Sequence, residues 1–219
     1  MTTILEDLQP QIVFKYFEEI SNIPRGSGNE KAISDYMVQF ATDLGLEAIQ
    51  DEVYNIIIKK DATAGYESAP TVILQGHLDM VCEKNNNTVH DFEKDPIQLY
   101  IDGDFIRAQG TTLGADNGVA IAYQMAILAS DTIEHPPLEI LMTIDEERGM
   151  TGVANMHPEH LDGKILINLD SEEEGEFLVS CAGGVRSQLT LNHKYNKATS
   201  GFQFYKISVT GLCGGHSGA

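Results

Sequence analysis

The sequence predicts an α/β fold whose sheet is at least partly parallel, and two observations carry that expectation. Apolar, strand-like runs alternate with helical patterns through the first three-quarters of the chain, the signature of strands laid side by side with helices packed on them. Three of those runs, TVILQ (71–75), LEILM (138–142) and KILI (164–167), lead directly into short segments rich in acids or histidine. In an alternating α/β chain the carboxyl ends of the strands open onto one crevice, which is where ligands bind.

The elements follow in order. Ile12, Val13, Tyr16, Phe17 and Ile20 recur at helical spacing and predict a first helix over about 10–20, with Pro24 as its breaker. Ile33, Tyr36, Met37, Phe40 and Leu44 predict a second helix from about Asn29 to Leu44, ended by Gly45. Strands are expected at 46–50, 54–59 and 71–76, with a polar linker at 60–70. Residues 83–95 read as a loop, and Asp102-Gly103 between IQLYI and FIRAQ reads as a hairpin turn. Gly118 to Ser130 is almost wholly apolar and predicts a buried helix. A strand at 138–144, a short helix from about Thr151 and a strand at 164–169 complete the alternation. From Phe177 the pattern changes to FLVSCA, VRSQLTL and FQFYKISVTG, three strand-like runs without helices between them. Residues 1–183 therefore read as the first segment of one domain and 184–219 as the beginning of another. The last residues, GLCGGHSGA, read as a glycine-rich turn, and the chain is expected to be the N-terminal portion of something longer.

Composition excludes several function classes. Asp and Glu number 33 against 14 Lys and Arg, a formal net charge of −19. Nucleic acid and anionic membrane are poor partners for such a surface, because phosphate contacts need clustered cations. No run of about 18 apolar residues occurs, so no membrane span is expected. MTTILEDLQPQ does not read as a secretory signal. Cys82, Cys181 and Cys213 are far apart and fit a reducing cytoplasm better than a disulfide framework.

Four segments carry the chemistry: GHLDM (76–80), LGADNG (113–118), TIDEERG (143–149) and INLDSEEEG (167–175). Each can be read blandly when alone. His77 and Asp79 could be a solvated strand end, Asp116 a helix cap, and Asp145, Glu146 and Glu147 an acidic turn. Gathered on one rim, His77, Asp79, Asp116, Glu146, Glu147 and Asp170 form a repulsive cluster that calls for cations. Neighbouring Glu146 and Glu147 diverge, so one can bind metal while the other handles a proton, as metal-assisted hydrolysis requires. HExxH, GxSxG and glycine-rich phosphate-loop motifs do not occur, and RGSGNE (25–30) matches neither a Walker loop nor a Rossmann fingerprint. The remaining histidines read as loop or surface residues.

The ordered set HxD, D-N-G, D-E-E and N-L-D resembles the co-catalytic zinc exopeptidases that include aminoacylase, glutamate carboxypeptidase and succinyl-diaminopimelate desuccinylase. The wording GHLDMVCEKN, TTLGADNGVA, TIDEERGMTG, NLDSEEEGE and CAGG is most similar to their Xaa-His dipeptidase branch, as is Asn117 after Asp116 where most relatives have lysine. The resemblance implies a zinc-exopeptidase-like mixed, largely parallel sheet flanked by helices, followed by the start of an inserted α+β lid domain. It implies that His77, Asp116 and Asp170 bind one zinc (cobalt or manganese being alternatives), and that Glu147 binds a second, with Asp116 bridging. Glu146 would be the general base, Asp79 would orient His77, and His216 in GGHSG would help hold the substrate. It further implies a cis peptide after Asp116, a small peptide substrate of the Xaa-His, carnosine-like kind, and a homodimer built through the lid. The family's second zinc also takes a histidine from near the C-terminus of the complete protein. That residue does not occur here, so the 219-residue chain alone is expected to be inactive or nearly so. An N-acyl amino-acid deacylase of the same fold and a non-catalytic metal-binding remnant are the alternatives.

Overall fold

The computed structural model describes residues 3–171 and 173–211, apart from 182, 184–186, 195, 196, 198, 199, 202 and 204. The chain divides into two compact units, Met1–Glu172 and Glu173–Ala219.

In the first unit, helix α1 (Gln11–Ser21) buries Val13, Tyr16, Phe17 and Ile20, the spacing of one helical face. It ends ahead of Pro24, and side chains add donors to the carbonyls of its last turn: Ser21 Oγ donates to Phe17 O and Asn22 Nδ2 to Glu18 O, both at 2.7 Å. Helix α2 (Lys31–Asp43) buries Ile33, Met37 and Ala41. Its end is a Schellman turn: Gly45 has φ +71 and donates to Thr42 O, and Leu46 N donates to Ala41 O, each at 2.9 Å.

Strands β1 (Glu47–Gln50), β2 (Ile56–Lys60) and β3 (Val72–His77) precede a hairpin of β4 (Leu99–Asp102) and β5 (Phe105–Ala108). Then come α3 (Ala115–Ala129), β6 (Leu138–Thr143), the short α4 (Thr151–Asn155), a 3-10 turn at Pro158–His160 and β7 (Ile165–Asn168). The five-stranded sheet has the order β1-β2-β6-β3-β7. β3 lies between β6 and β7 and pairs parallel with both, whereas β2 runs antiparallel to its neighbours β1 and β6. All strands of this sheet but β2 therefore point the same way, a mixed and largely parallel sheet.

Alternation along the strands separates two apolar layers. Ile56, Ile58, Leu74, Ile140 and Met142 join the main core with residues of α1, α2 and α3, and Ile57, Ile73 and Leu141 form a smaller core with Met156 and Leu161. α3 is apolar nearly all round, and it packs against α1 and β3. The parallel register does the work of site-building. His77 pairs with Thr143, and Gln75 pairs with Asn168, so the residue two beyond Asn168, Asp170, comes level with His77. The turn that launches β7 is held by buried Glu139 of β6, whose carboxylate accepts the amides of Asp162 and Gly163 at 3.0 Å.

The second unit differs from expectation. Among its described residues no strand forms where three are predicted, and Phe177, Val179, Leu189 and Ile207 are each more than nine-tenths exposed. A strand needs a partner for its ladder and a layer for its apolar face. Those runs find neither among the described residues.

Candidate metal centre

His77 ends β3 and is 1% exposed. Its two ring nitrogens face different partners. Nε2 lies 3.0 Å from Asp116 Oδ1 and 3.6 Å from Asp170 Oδ1. Nδ1 lies 3.3 Å from Asp79 Oδ1 and 3.0 Å from the Asp79 carbonyl. Donor atoms of His77, Asp116 and Asp170 fall within 4.8 Å of one another, and so do those of His77, Glu146 and Glu147. Two triads able to hold a metal ion thus share the histidine, and between them they gather five of the residues singled out in the sequence.

Asp79 lies just past β3, wholly buried, and serves as the hub of the site. Besides facing His77, its Oδ1 accepts the Glu146 amide at 3.1 Å. Its Oδ2 accepts the Ser27 hydroxyl at 2.7 Å and the Glu147 amide at 3.3 Å. One carboxylate therefore ties β3 to the turn after β6. Asn117 performs a similar function on the other side. Its Oδ1 accepts the His77 amide and its Nδ2 donates to Leu169 O, each at 3.0 Å, so it links the ends of β3 and β7. The Asp116–Asn117 peptide is cis, as the resemblance implies. Asp116 and Asn117 depart from helical dihedrals, so the regular part of α3 begins after them.

The electrostatics match the crowding. Burial alone would pull the His77 imidazole down, but its bonds to Asp116 and Asp79 and the charges of Asp79 and Asp170 push it up to about 10. Burial, together with the charges of Asp116 and Glu146, pushes Asp170 up to about 6 against the opposing charge of His77. Burial also works to raise Asp79, but the bonds from His77 and Ser27 hold it below the usual carboxylate range. The upward shifts of His77 and Asp170 mark a cluster that favours added positive charge, which a cation would supply. A neutral imidazole among carboxylates is the donor set that suits a borderline divalent metal such as zinc. The residues present fit a metal ion.

Not every acid of TIDEERG belongs to this cluster. Asp145 has φ +55, and its carboxylate accepts Arg148 Nε at 2.7 Å and the Thr151 hydroxyl. It shapes the turn that presents Glu146 and Glu147. Ser27, Arg25 and Asn117 were not marked as site residues by their spacing, since each acts through contacts made far along the chain. The segment RGSGNE, which matches no phosphate-loop motif, supplies two of them. His216 lies outside the described residues.

No family model matches the sequence. The chain is 48% identical over 214 residues to the cytosol non-specific dipeptidase of Escherichia coli (strain K12), covering 98% of this chain and 44% of that one. The crystal structure of an aminoacylhistidine dipeptidase from Vibrio alginolyticus superposes with a TM-score of 0.76 at 48% identity, over 78% of this chain and 35% of that one. A tripeptidase from Staphylococcus aureus shares the fold, with a TM-score of 0.63 at 22% identity over 76% of this chain and 44% of that one. The chain thus spans less than half the length of these relatives. Along nearly all of its own length it resembles the N-terminal portion of the Escherichia coli dipeptidase, and over about three-quarters of it the Vibrio alginolyticus enzyme.

Proposed function

We propose that this chain carries the metal-binding part of a cytoplasmic dipeptidase that hydrolyses short peptides, Xaa-His dipeptides among them, with zinc as its metal. The observation that supports this most is the meeting of His77, Asp116 and Asp170, delivered by β3, the start of α3 and the end of β7, with donor atoms within 4.8 Å. His77, Asp116 and Asp170 would hold one ion, and Glu147, together with Asp116, would hold a second. When bound, the metal supplies Lewis-acid stabilisation of the oxyanion that develops on the peptide carbonyl.

The protein's own residues do the remaining work. Asp79 keeps the His77 ring turned so that Nε2 faces Asp116, and its carboxylate pins the amides of Glu146 and Glu147. Glu146, held in that turn, takes the proton of the attacking water on its carboxylate and returns it to the departing amine. His216 holds the substrate, and the inserted lid domain, beginning near 184, contributes the dimer contact. The named relatives are peptidases, which favours a peptide substrate over an N-acyl amino acid.

The test is elemental analysis of the purified protein beside a Glu147→Ala variant, followed by hydrolysis of β-alanyl-histidine by a complete zinc-loaded protein that carries this segment and by its Glu146→Gln variant. Zinc that falls in the alanine variant, and turnover that disappears in the glutamine variant while zinc remains, supports the reading. A protein that takes up no zinc would sink it.

A further inference from the structure

We infer that Arg25 is a positioning residue that sets the gap between His77 and Asp116 and thereby the geometry of the metal site. The inference rests on the metal reading above. Arg25 lies in the loop after α1 and is 2% exposed. Its Nη1 donates to the carbonyls of Leu78 at 3.0 Å and Asp79 at 3.3 Å, while Nη2 donates to the carbonyl of Gly114. One planar guanidinium thus grips the chain on both sides of the site: the segment just past His77, and the turn just before Asp116.

Its own backbone is anchored to the first of these. The Met80 amide donates to Arg25 O at 3.1 Å, and the Ser27 amide donates back to Met80 O at 3.3 Å. With its main chain paired there, the side chain acts as a spacer of set length reaching across to the α3 turn.

The receiving side is shaped to fit it. A Cβ added at Gly114 would lie 2.6 Å from Arg25 Nη2, and a Cβ added at Gly118 would also lie 2.6 Å from that atom. The two glycines that flank Asp116 therefore leave room for the guanidinium. A buried cation is costly to desolvate, and an apolar side chain of similar volume would often serve packing as well. What an apolar residue cannot do is donate to three carbonyls from two segments at once, which the guanidinium fork does.

The test is a Co2+ titration followed by visible absorption, a readout of ligand geometry that general loss of stability does not move. Arg25→Met is expected to weaken Co2+ binding roughly tenfold or more, the range seen when a residue supporting a ligand is lost, and to change the band shape. Arg25→Lys, which keeps the charge without the fork, should recover only part of the affinity. Gly118→Ala leaves Arg25 in place but intrudes on its guanidinium, and should alter the spectrum in the same direction; it decides the matter if Arg25→Met does not fold. Lys60→Met is the control, because Lys60 Nζ bonds the carbonyls of Ile127, Leu128 and Ser130 at the far end of α3, each at 2.9 Å. It should lower the melting temperature and keep the wild-type cobalt spectrum. Arg25→Lys and Gly118→Ala variants that bind cobalt with wild-type affinity and spectrum overturn the inference, as does a Lys60→Met variant that weakens binding equally. Wild-type protein that binds no cobalt overturns the metal reading itself, and this inference with it.

Discussion

Asp79 Oδ1 lies 3.3 Å from His77 Nδ1 with both side chains out of solvent, and the other carboxylate oxygen accepts Ser27 and the Glu147 amide. A single buried anion thus orients the imidazole and anchors the acidic turn. Asp79→Asn leaves one acceptor oxygen for donors that now share two. The variant is expected to lose about 3 kcal/mol of stability, as when one partner of a buried charged pair is removed, and roughly tenfold or more in zinc affinity. Urea denaturation and zinc titration check this; a variant with unchanged zinc affinity would show that Asp79 does not orient the ligand.

Metal uptake should depend on pH with a definite sign. His77 is raised to about 10 and Asp170 to about 6, so in the metal-free protein both favour their protonated forms. Their stabilising contribution is complete below the unfolded values, near 6.5 for His77 and 3.8 for Asp170. It is lost as pH rises through about 6 for Asp170 and about 10 for His77. Metal binding displaces those protons, so zinc affinity should climb from pH 5 to pH 9 with measurable proton release. Calorimetric titrations in buffers of different ionisation heat would reveal it. An affinity flat across this range is incompatible with the protonation states described.

Chelation should destabilise the protein. A ligand that binds only the folded state adds about 2.7 kcal/mol when present at a hundredfold excess over its dissociation constant. Treatment with EDTA is therefore expected to lower the melting temperature by several degrees, and added zinc should restore it. The same melting curve with and without EDTA would count against a bound metal.

Gly76 sits inside β3 against α3. A Cβ there would lie 2.6 Å from Asn117 Oδ1 and 3.1 Å from Ala120 Cβ. Gly76→Ala should push Asn117 off the His77 amide at a cost of about 1–3 kcal/mol, as for overpacking elsewhere, and weaken zinc binding as well. Thermal unfolding beside zinc titration tests both. A variant as stable as wild type would mean that α3 moves aside without consequence.

Much of this was legible in the sequence because it is local. The apolar spacing in α1 and α2, the Gly45 stop and the Asp102-Gly103 hairpin turn depend on neighbours a few residues away. So does the placing of His77 and of TIDEERG at strand ends. The roles of Arg25 and Ser27 were not legible, since their partners stand more than fifty residues along the chain. Nor was the fate of Asp145, which looks identical to its neighbours in sequence but is taken up by Arg148 and Thr151. Runs such as FLVSCA satisfy the strand pattern, yet strand formation depends on a partner that no local pattern contains.

By itself, then, the sequence determined which segments are helix or strand through the first unit and which residues could bear metal chemistry, because periodicity and residue type act over one or two turns. Tertiary structure alone decided that β2 runs against the other strands and that Asp170 comes level with His77. It also decided that an arginine and an aspartate from distant loops hold the site together. Those outcomes rest on register and burial, which arise only when residues far apart in the chain compete for the same space.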